Sequence, residues 1–239
     1  MPTATQVSGI PVADALPAGA DVRGAIARAS ESTGVDFDYL LAQARLESGL
    51  NPDAKARTSS ATGLYQFIDS TWLRTMDRHG YKYGYASPGG AIGPGGGVAN
   101  AGTREQLLSL RYDADVSALM AAELARDNTT GLKSFLGRDP EPAELYLAHF
   151  LGLGGAQTLL GAYRTDAGQS AAALLPKAAG SNRAIFYDHG RARSVAEVMS
   201  LLQTKVANAM GQDGAMPFVP GAAPGAGGIT QEFAQARYA

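Results

Sequence analysis

One acidic residue of this chain is placed where a helix would bury it. Residues 36–49 carry apolar side chains at helical spacing. Glu47 lies seven residues after Leu40 and three after Ala44, so at about 100° per residue it shares their apolar face. Gly49 is expected to end this helix, because glycine readily adopts the left-handed conformation found at helix C-termini. A carboxylate in this position is costly unless it is solvated or paired.

Two interpretations of Glu47 follow from its position. In the first, the side chain lies at the edge of the apolar stripe and reaches water or an arginine. In the second, desolvation raises its pKa, so that it keeps its proton near neutral pH and can donate it. Helical spacing alone does not choose between them.

Three short blocks resemble the signature of a known enzyme family. The first is Glu47-Ser-Gly-Leu-Asn-Pro52, the second Gly63-Leu-Tyr-Gln66 and the third Ala148-His-Phe-Leu-Gly152. They resemble, in order, the E-S-x-x-N-P, G-L-M-Q and A-Y-N-A-G blocks of the soluble lytic transglycosylase (SLT) catalytic domain, glycoside hydrolase family 23. The resemblance covers roughly residues 21–205.

This resemblance implies a peptidoglycan lytic transglycosylase that needs no cofactor. Glu47 would protonate the oxygen between MurNAc and GlcNAc, then act as a base while the MurNAc 6-hydroxyl attacks C1. The product would be a 1,6-anhydro-MurNAc end. None of the three blocks holds a second carboxylate at a matching position, whereas most glycosidases use two. Asp69, near in sequence, is expected to cap the helix that follows it.

The other candidate site residues also come from the resemblance. It assigns Ser48 and Gln66 to the sugar site, while Tyr65 stands where the family has methionine, and His149 with Phe150 replaces its Tyr-Asn pair. Ala56 takes the place of a common serine, with hydroxyl residues just beyond it. The candidate substrate-binding residues are Ser48, Thr58, Ser59, Tyr65, Gln66, Tyr146 and His149.

Each of these residues also has a structural alternative. Ser48 could be a local hydroxyl at the helix end, and Gln66 could tie down its loop. Tyr65 and Tyr146 either stack on sugar rings or pack in the core. Tyr146 lies one turn before His149 and could supply the lost hydroxyl, whereas a lone histidine is commonly structural.

The hydrophobic pattern predicts an all-α or nearly all-α domain of lysozyme-like architecture. Ser194-Val-Ala-Glu197 and Thr103-Arg-Glu-Gln106 both fit a capping box. Asp113 is expected to cap the helix that follows it, and Asp139-Pro140 to start a helix that runs to Gly152. Residues 80–102 contain nine glycines and three tyrosines and are predicted to form a long surface loop.

The ends of the chain differ in composition from the middle. Residues 1–20 are interpreted as a flexible arm, 21–210 as the catalytic domain and 211–239 as a flexible Gly/Ala/Pro-rich tail. Residues 229–239 regain Ile229, Phe233 and Arg237 at helical spacing. They are either a short docking helix for a partner protein or an unstructured end.

Composition argues against several classes of protein. The net charge of −2 and the lack of a basic cluster disfavour nucleic-acid binding. No run of eighteen apolar residues predicts a transmembrane helix, and no metal-ligand spacing occurs.

We expect a monomer acting in the periplasm or cell envelope, where peptidoglycan lies. No secretory signal is visible, which leaves the export route open.

Two rival functions remain at this stage. A goose-type lysozyme would use the same Glu47 with water as the nucleophile and leave a reducing MurNAc end. A structural or adaptor protein of a flagellum, secretion system or phage would keep an SLT-like domain without needing its activity. The intact Glu47 argues against the adaptor, and the tail keeps it as a second role.

Overall fold

The computed structural model describes residues 21–57, 59–85, 91–93 and 96–211. Within these ranges 71% of residues are helical, so the predicted all-α, lysozyme-like fold is confirmed. The α-helices found there are α1 (Val22–Thr33), α2 (Phe37–Ser48), α3 (Asp69–His79), α4 (Ala101–Ser109), α5 (Ala114–Leu136), α6 (Pro142–Thr165), α7 (Ala171–Leu174), α8 (Pro176–Ser181), α9 (Arg183–Phe186) and α10 (Val195–Met210).

The short strands of the described part form two antiparallel hairpins. β1 (Ile92–Gly93) pairs with β2 (Gly97–Val98), and β3 (Tyr187–Asp188) pairs with β4 (Arg191–Ala192). The first hairpin and a 3-10 turn at Gly80–Tyr83 lie in the glycine-rich segment. In its described parts, the predicted surface loop over residues 80–102 is therefore interrupted by a 3-10 turn, a hairpin of two-residue strands and the start of α4 at Ala101.

Long helices form the frame around the buried core. α5 packs against α1, α3 and α6, while α10 packs against both α2 and α6. The largest fully buried side chains include Trp72 of α3 and Phe150 of α6. Since α10 contacts both α2 and α6, it fixes the two helices that carry the candidate site.

α2 begins and ends where local chemistry predicts. The carboxylate of Asp36 accepts a hydrogen bond from the backbone N–H of Tyr39 at 2.8 Å, as an N-cap does. At the other end Gly49 has φ 62°, in the left-handed region, and its N–H returns to the carbonyl of Arg45 at 3.0 Å. The predicted end of this helix is confirmed, and it leaves Glu47 in the last turn.

Two of the other predicted caps are also present. Ser194 and Glu197 form the capping box at the start of α10. Asp113 caps α5 by accepting from the N–H of Val116 at 3.0 Å. Both caps lie directly before a strongly apolar helix face, and this pattern explains why the sequence predicted them correctly.

Three cap predictions were wrong. α4 is capped by Asn100, which accepts from the N–H of Thr103 at 2.9 Å, so Thr103 is already inside the helix. Asp69 is the first residue of α3 rather than its cap; its carboxylate instead pairs with Arg104 at 2.7 Å and with Arg111 at 2.9 Å. Here a favourable neighbour on another segment outweighs the local capping preference.

The third wrong prediction concerns α6. It begins at Pro142 with Glu141 as its N-cap, not at Asp139. The side chain of Glu144 accepts from the N–H of Glu141 at 2.8 Å, which completes this start. The helix also continues past Gly152, whose φ of 72° and ψ of 161° put a kink in it.

Several predictions fall outside the described residues. The arm at 1–20, the tail at 212–239 and Thr58 belong to this group. Within the described part, no helix is long and apolar enough to cross a membrane. α10 ends at Met210, next to the predicted boundary between domain and tail.

Candidate active site

Glu47 is buried at the C-terminal end of α2. Its relative exposure is 2%, so the interpretation in which it reaches bulk water at the edge of the stripe does not hold. Leu40 and Ala44, on the same helix face, are both fully buried. The carboxyl group therefore lies in apolar surroundings, where its charged form needs specific partners.

Two side chains of α6 approach one oxygen of this carboxyl group. The hydroxyl of Tyr146 donates to Oε1 of Glu47 at 3.3 Å. Nε2 of His149 lies 3.0 Å from the same oxygen. Because Tyr146 and His149 are three residues apart, they occupy neighbouring positions on one face of the helix. The third sequence block is thus brought against the first.

A third side chain, Gln43, contacts the far side of the imidazole. Its Nε2 lies 2.8 Å from Nδ1 of His149, and it sits one turn before Glu47 on α2. The four side chains form a buried chain in the order Gln43, His149, Glu47, Tyr146. Sequence reasoning did not single out Gln43; its position four residues before Glu47 was the only available signal.

Ser48 connects the end of α2 to the second sequence block. Its hydroxyl donates to the carbonyl of Leu64 at 2.7 Å and lies 3.2 Å from the carbonyl of Ala44. These contacts are those of a local brace. Ser48 is half-buried, and its proposed contact with sugar stays a prediction.

Gln66 holds its own loop together. Its Nε2 donates to the carbonyls of Ala54 at 3.0 Å and Gly63 at 2.9 Å. It is buried and has a positive φ of 48°. Gly63 has φ 81°, and a Cβ there would collide with the carbonyl oxygen of Arg111. The geometry matches the loop-tying alternative, while the substrate contact remains a prediction.

Tyr65 packs in the core. It is fully buried, and its hydroxyl donates to the carbonyl of Leu40 at 3.1 Å. This burial raises the pKa of Tyr65 well above its usual value. Of its two interpretations, packing behind α2 is the one this geometry favours over stacking on a sugar ring.

Two of the hydroxyl residues beyond Ala56, Ser59 and Ser60, lie in the loop that leads to Gly63. Ser59 is half-buried, and its Oγ accepts from the N–H of Ala61 at 3.2 Å. Arg111, which the sequence did not point to, braces this loop by donating to the carbonyls of Ser60 at 2.8 Å and Phe67 at 3.0 Å. Among the described residues, no group of three or more His, Asp or Glu is arranged to hold a metal ion.

Comparison with known protein families bears directly on this site. Residues 24–88 match the family model described as Transglycosylase SLT domain. This segment is therefore similar to an SLT transglycosylase domain. The match includes Glu47 and the turn from Gly63 to Gln66, so the resemblance seen in the first two blocks is confirmed.

The SLT match ends before α5 and α6 begin. The third block, including His149, therefore lies outside the matched residues and is connected with the site by geometry alone. Tyr146 and His149 reach Glu47 from a part of the chain that departs from the family's Tyr-Asn pair. Tyr146 and His149 therefore lie outside the residues that are similar to the SLT domain.

Proposed function

We propose that this chain cleaves peptidoglycan glycan strands as a lytic transglycosylase, with Glu47 as its single acid and base. The SLT domain supports an activity of this general type on peptidoglycan. The observation that carries the finer assignment is the burial of Glu47, with the Tyr146 hydroxyl donating to its Oε1 and Nε2 of His149 lying 3.0 Å from the same oxygen.

The proposed reaction returns Glu47 to its starting state. Glu47 first gives its proton to the oxygen that joins C1 of MurNAc to GlcNAc, and the C1–O bond breaks. The resulting carboxylate then takes the proton of the MurNAc 6-hydroxyl as that oxygen bonds to C1. The products are a GlcNAc hydroxyl and a 1,6-anhydro-MurNAc end, with no water consumed.

The surroundings of Glu47 suit both halves of this cycle. Burial disfavours the charged carboxylate and therefore supports the protonated acid. The hydroxyl of Tyr146 and the imidazole of His149 stabilise the carboxylate that the acid step leaves behind. An acid-base group works best when both of its forms are accessible near the operating pH.

The location and organisation of the protein follow from its substrate. We propose action in the periplasm or cell envelope, by a monomeric catalytic domain spanning residues 21–210. The proposed partner peptide at 229–239 would attach this domain to another envelope protein, and a flagellar or secretion assembly fits that role.

Replacement of Glu47 tests the assignment. Glu47→Gln keeps the shape of the side chain but removes the transferable proton, so clearance of a suspension of purified sacculi should fall by at least about 1000-fold. The matched control is Glu105→Gln, which changes an exposed glutamate of α4 and should retain the wild-type rate. Both variants should melt cooperatively. A folded Glu47→Gln protein that clears sacculi at the wild-type rate would refute the assignment.

A further inference from the structure

We propose that His149 is a positioning residue for Glu47: a neutral imidazole, protonated on Nε2 and held in that tautomer by Gln43, that donates to the Glu47 carboxylate. The inference rests on the proposed function, since it concerns the state of Glu47 between its acid and base steps. It gives His149 a different task from the substrate binding expected from the sequence.

The geometry places this contact inside the protein. Nε2 of His149 lies 3.0 Å from Oε1 of Glu47, and Nδ1 lies 2.8 Å from Nε2 of Gln43. The exposed fractions of Gln43, Glu47 and His149 are 1%, 2% and 7%. Hydrogen bonds in such surroundings are stronger than in water, and mismatched ones are costly.

The amide of Gln43 selects one protonation state of the ring. With the amide nitrogen of Gln43 facing the ring, that nitrogen can only donate, so Nδ1 offers its lone pair and a neutral imidazole carries its proton on Nε2. The proposal includes this orientation of the amide, because a flipped Gln43 would accept from Nδ1–H instead. An imidazolium would present a second donor to the same amide nitrogen. Gln43 in this orientation therefore disfavours the cation.

A neutral His149 matters for the chemistry. A buried imidazolium at 3.0 Å would hold Glu47 as a carboxylate and remove the acid. A neutral N–H donor stabilises the carboxylate less strongly, so that burial can still favour the protonated form. The side chain of Glu47 can then both donate a proton and accept one.

The groups around this pair are compatible with a neutral ring. Tyr146 of α6 is the titratable neighbour whose contact with Glu47 is defined. Four charged side chains on α2 and on the helices packed against α2 and α6 have defined contacts with other groups. These contacts are Arg45 with the carbonyl of Ala209, Glu123 with Tyr83 and Lys82, Arg28 with Asp115, and Glu197 with Arg191.

The tautomer can be read directly in the full-length protein. A long-range proton–nitrogen NMR spectrum of the histidine rings at neutral pH distinguishes a protonated ring nitrogen from an unprotonated one. We expect His149 to show a protonated Nε2 and an unprotonated Nδ1. Protonation of Nδ1, alone or together with Nε2, would overturn the proposal, whatever the activity of the protein.

Kinetics test the contact with Glu47. His149→Phe removes the donor and keeps a buried ring, so the pKa of Glu47 should rise. The basic limb of kcat/KM on soluble uncross-linked glycan strands should therefore move to higher pH, and kcat should fall on the order of 10–100-fold. His149→Gln retains an N–H donor and should recover most of the loss and the wild-type limb.

The outcomes separate this proposal from the proposed function. Equal pH profiles for the wild type and a folded His149→Phe protein would contradict the donor role, as would a His149→Gln protein that matches His149→Phe. If His149→Phe does not fold, the His149→Gln profile and the NMR tautomer decide. Cleavage that survives in Glu47→Gln would instead refute the proposed function and leave the tautomer result unaffected.

Discussion

Two buried glutamates of this fold have different kinds of neighbours. Glu123 of α5 is contacted by Lys82 at 3.2 Å, Arg126 at 3.2 Å and the hydroxyl of Tyr83 at 2.7 Å. The contacts defined for Glu47 come instead from a phenol and an imidazole. Cationic partners keep a carboxylate charged, whereas the phenol and the imidazole in its proposed neutral state would leave Glu47 free to accept a proton. The first environment suits a structural role and the second a proton-transfer role.

The structural role of Glu123 predicts a pH dependence of stability. Burial works against the charged form, but hydrogen bonds from Tyr83 and Lys82 and the nearby His79 lower its pKa below the usual value. Since the folded pKa is the lower one, its contribution to the free energy of unfolding is present above the unfolded pKa of about 4.3. That contribution is lost as the pH falls through the folded pKa.

Glu123→Gln should therefore lower the melting temperature at neutral pH by roughly 2–6 °C. It should also weaken the loss of stability between about pH 4 and pH 2. Thermal melts across this range, with Glu105→Gln as the exposed control, provide the measurement. An unchanged melting temperature in Glu123→Gln at neutral pH would show that these contacts contribute nothing to stability.

At the scale of elements, α6 brings the third sequence block to the site and then bends. Gly152 has φ 72° and ψ 161°, a region that only glycine occupies readily. The kink lies one turn after His149, so the backbone at Gly152 helps to fix where His149 and Tyr146 meet Glu47.

A pair of glycines in α6 tests this conclusion. Gly152→Ala should destabilise the protein by about 1–3 kcal/mol and reduce sacculus clearance, because alanine disfavours the kink. Gly154→Ala is the matched control, since Gly154 is helical and a Cβ there meets nothing within 4 Å. The control should be neutral or stabilising by up to about 1 kcal/mol. Chemical denaturation of both variants measures this, and equal stabilities would mean that the kink is not required.

Sequence predicted those elements whose boundaries depend on local chemistry. α2, α5 and α10 begin directly after their N-caps, and each cap precedes an apolar helix face; the caps are Asp36, Asp113 and Ser194. The starts of α4 and α6 were misplaced because two possible capping residues lie close together in each case. Asn100 rather than Thr103 caps α4, and Glu141 rather than Asp139 caps α6, where Arg138 also binds Glu144 at 2.7 Å.

The same distinction applies to the site. Helical periodicity within a single segment placed Glu47 on the apolar face of α2, but its burial was settled only by the packing around it. Its contacts with Tyr146 and His149 join residues about a hundred positions apart in sequence. The spacing of apolar residues within one helix cannot predict a contact between two distant helices. The sequence also did not predict the kink at Gly152, because a glycine near the end of a helical pattern is normally interpreted as the end of the helix.

At the scale of the whole molecule, α10 is the last helix of the described domain and holds the helices of the candidate site together. It packs against α2 and α6, and Arg45 of α2 donates to the carbonyl of Ala209 at 2.8 Å. Met210 lines a cavity of about 800 Å³ together with residues that include Asp36, Tyr39 and Leu145. The helices that carry the candidate site are therefore held by residues up to 210.

Truncation after Met210 tests whether the tail is needed. We expect the shortened chain to keep a melting temperature within about 2 °C of the full chain, since a packed segment would contribute more. It should also clear isolated sacculi at the full rate, and any loss should appear only in localisation or partner binding. A large drop in melting temperature would show that the tail packs on the domain, and the cavity at Met210 would be its expected position.

The central claim is that Glu47 alone serves as acid and base, so that the MurNAc 6-hydroxyl rather than water attacks C1. Mass spectrometry of muropeptides released from purified sacculi tests it directly, because an anhydro end is lighter than a reducing end by one water. The wild-type protein should release mainly 1,6-anhydro-MurNAc ends, and Glu47→Gln should release none. Mainly reducing MurNAc ends would indicate the goose-type hydrolase, and anhydro ends from Glu47→Gln would contradict the role of Glu47.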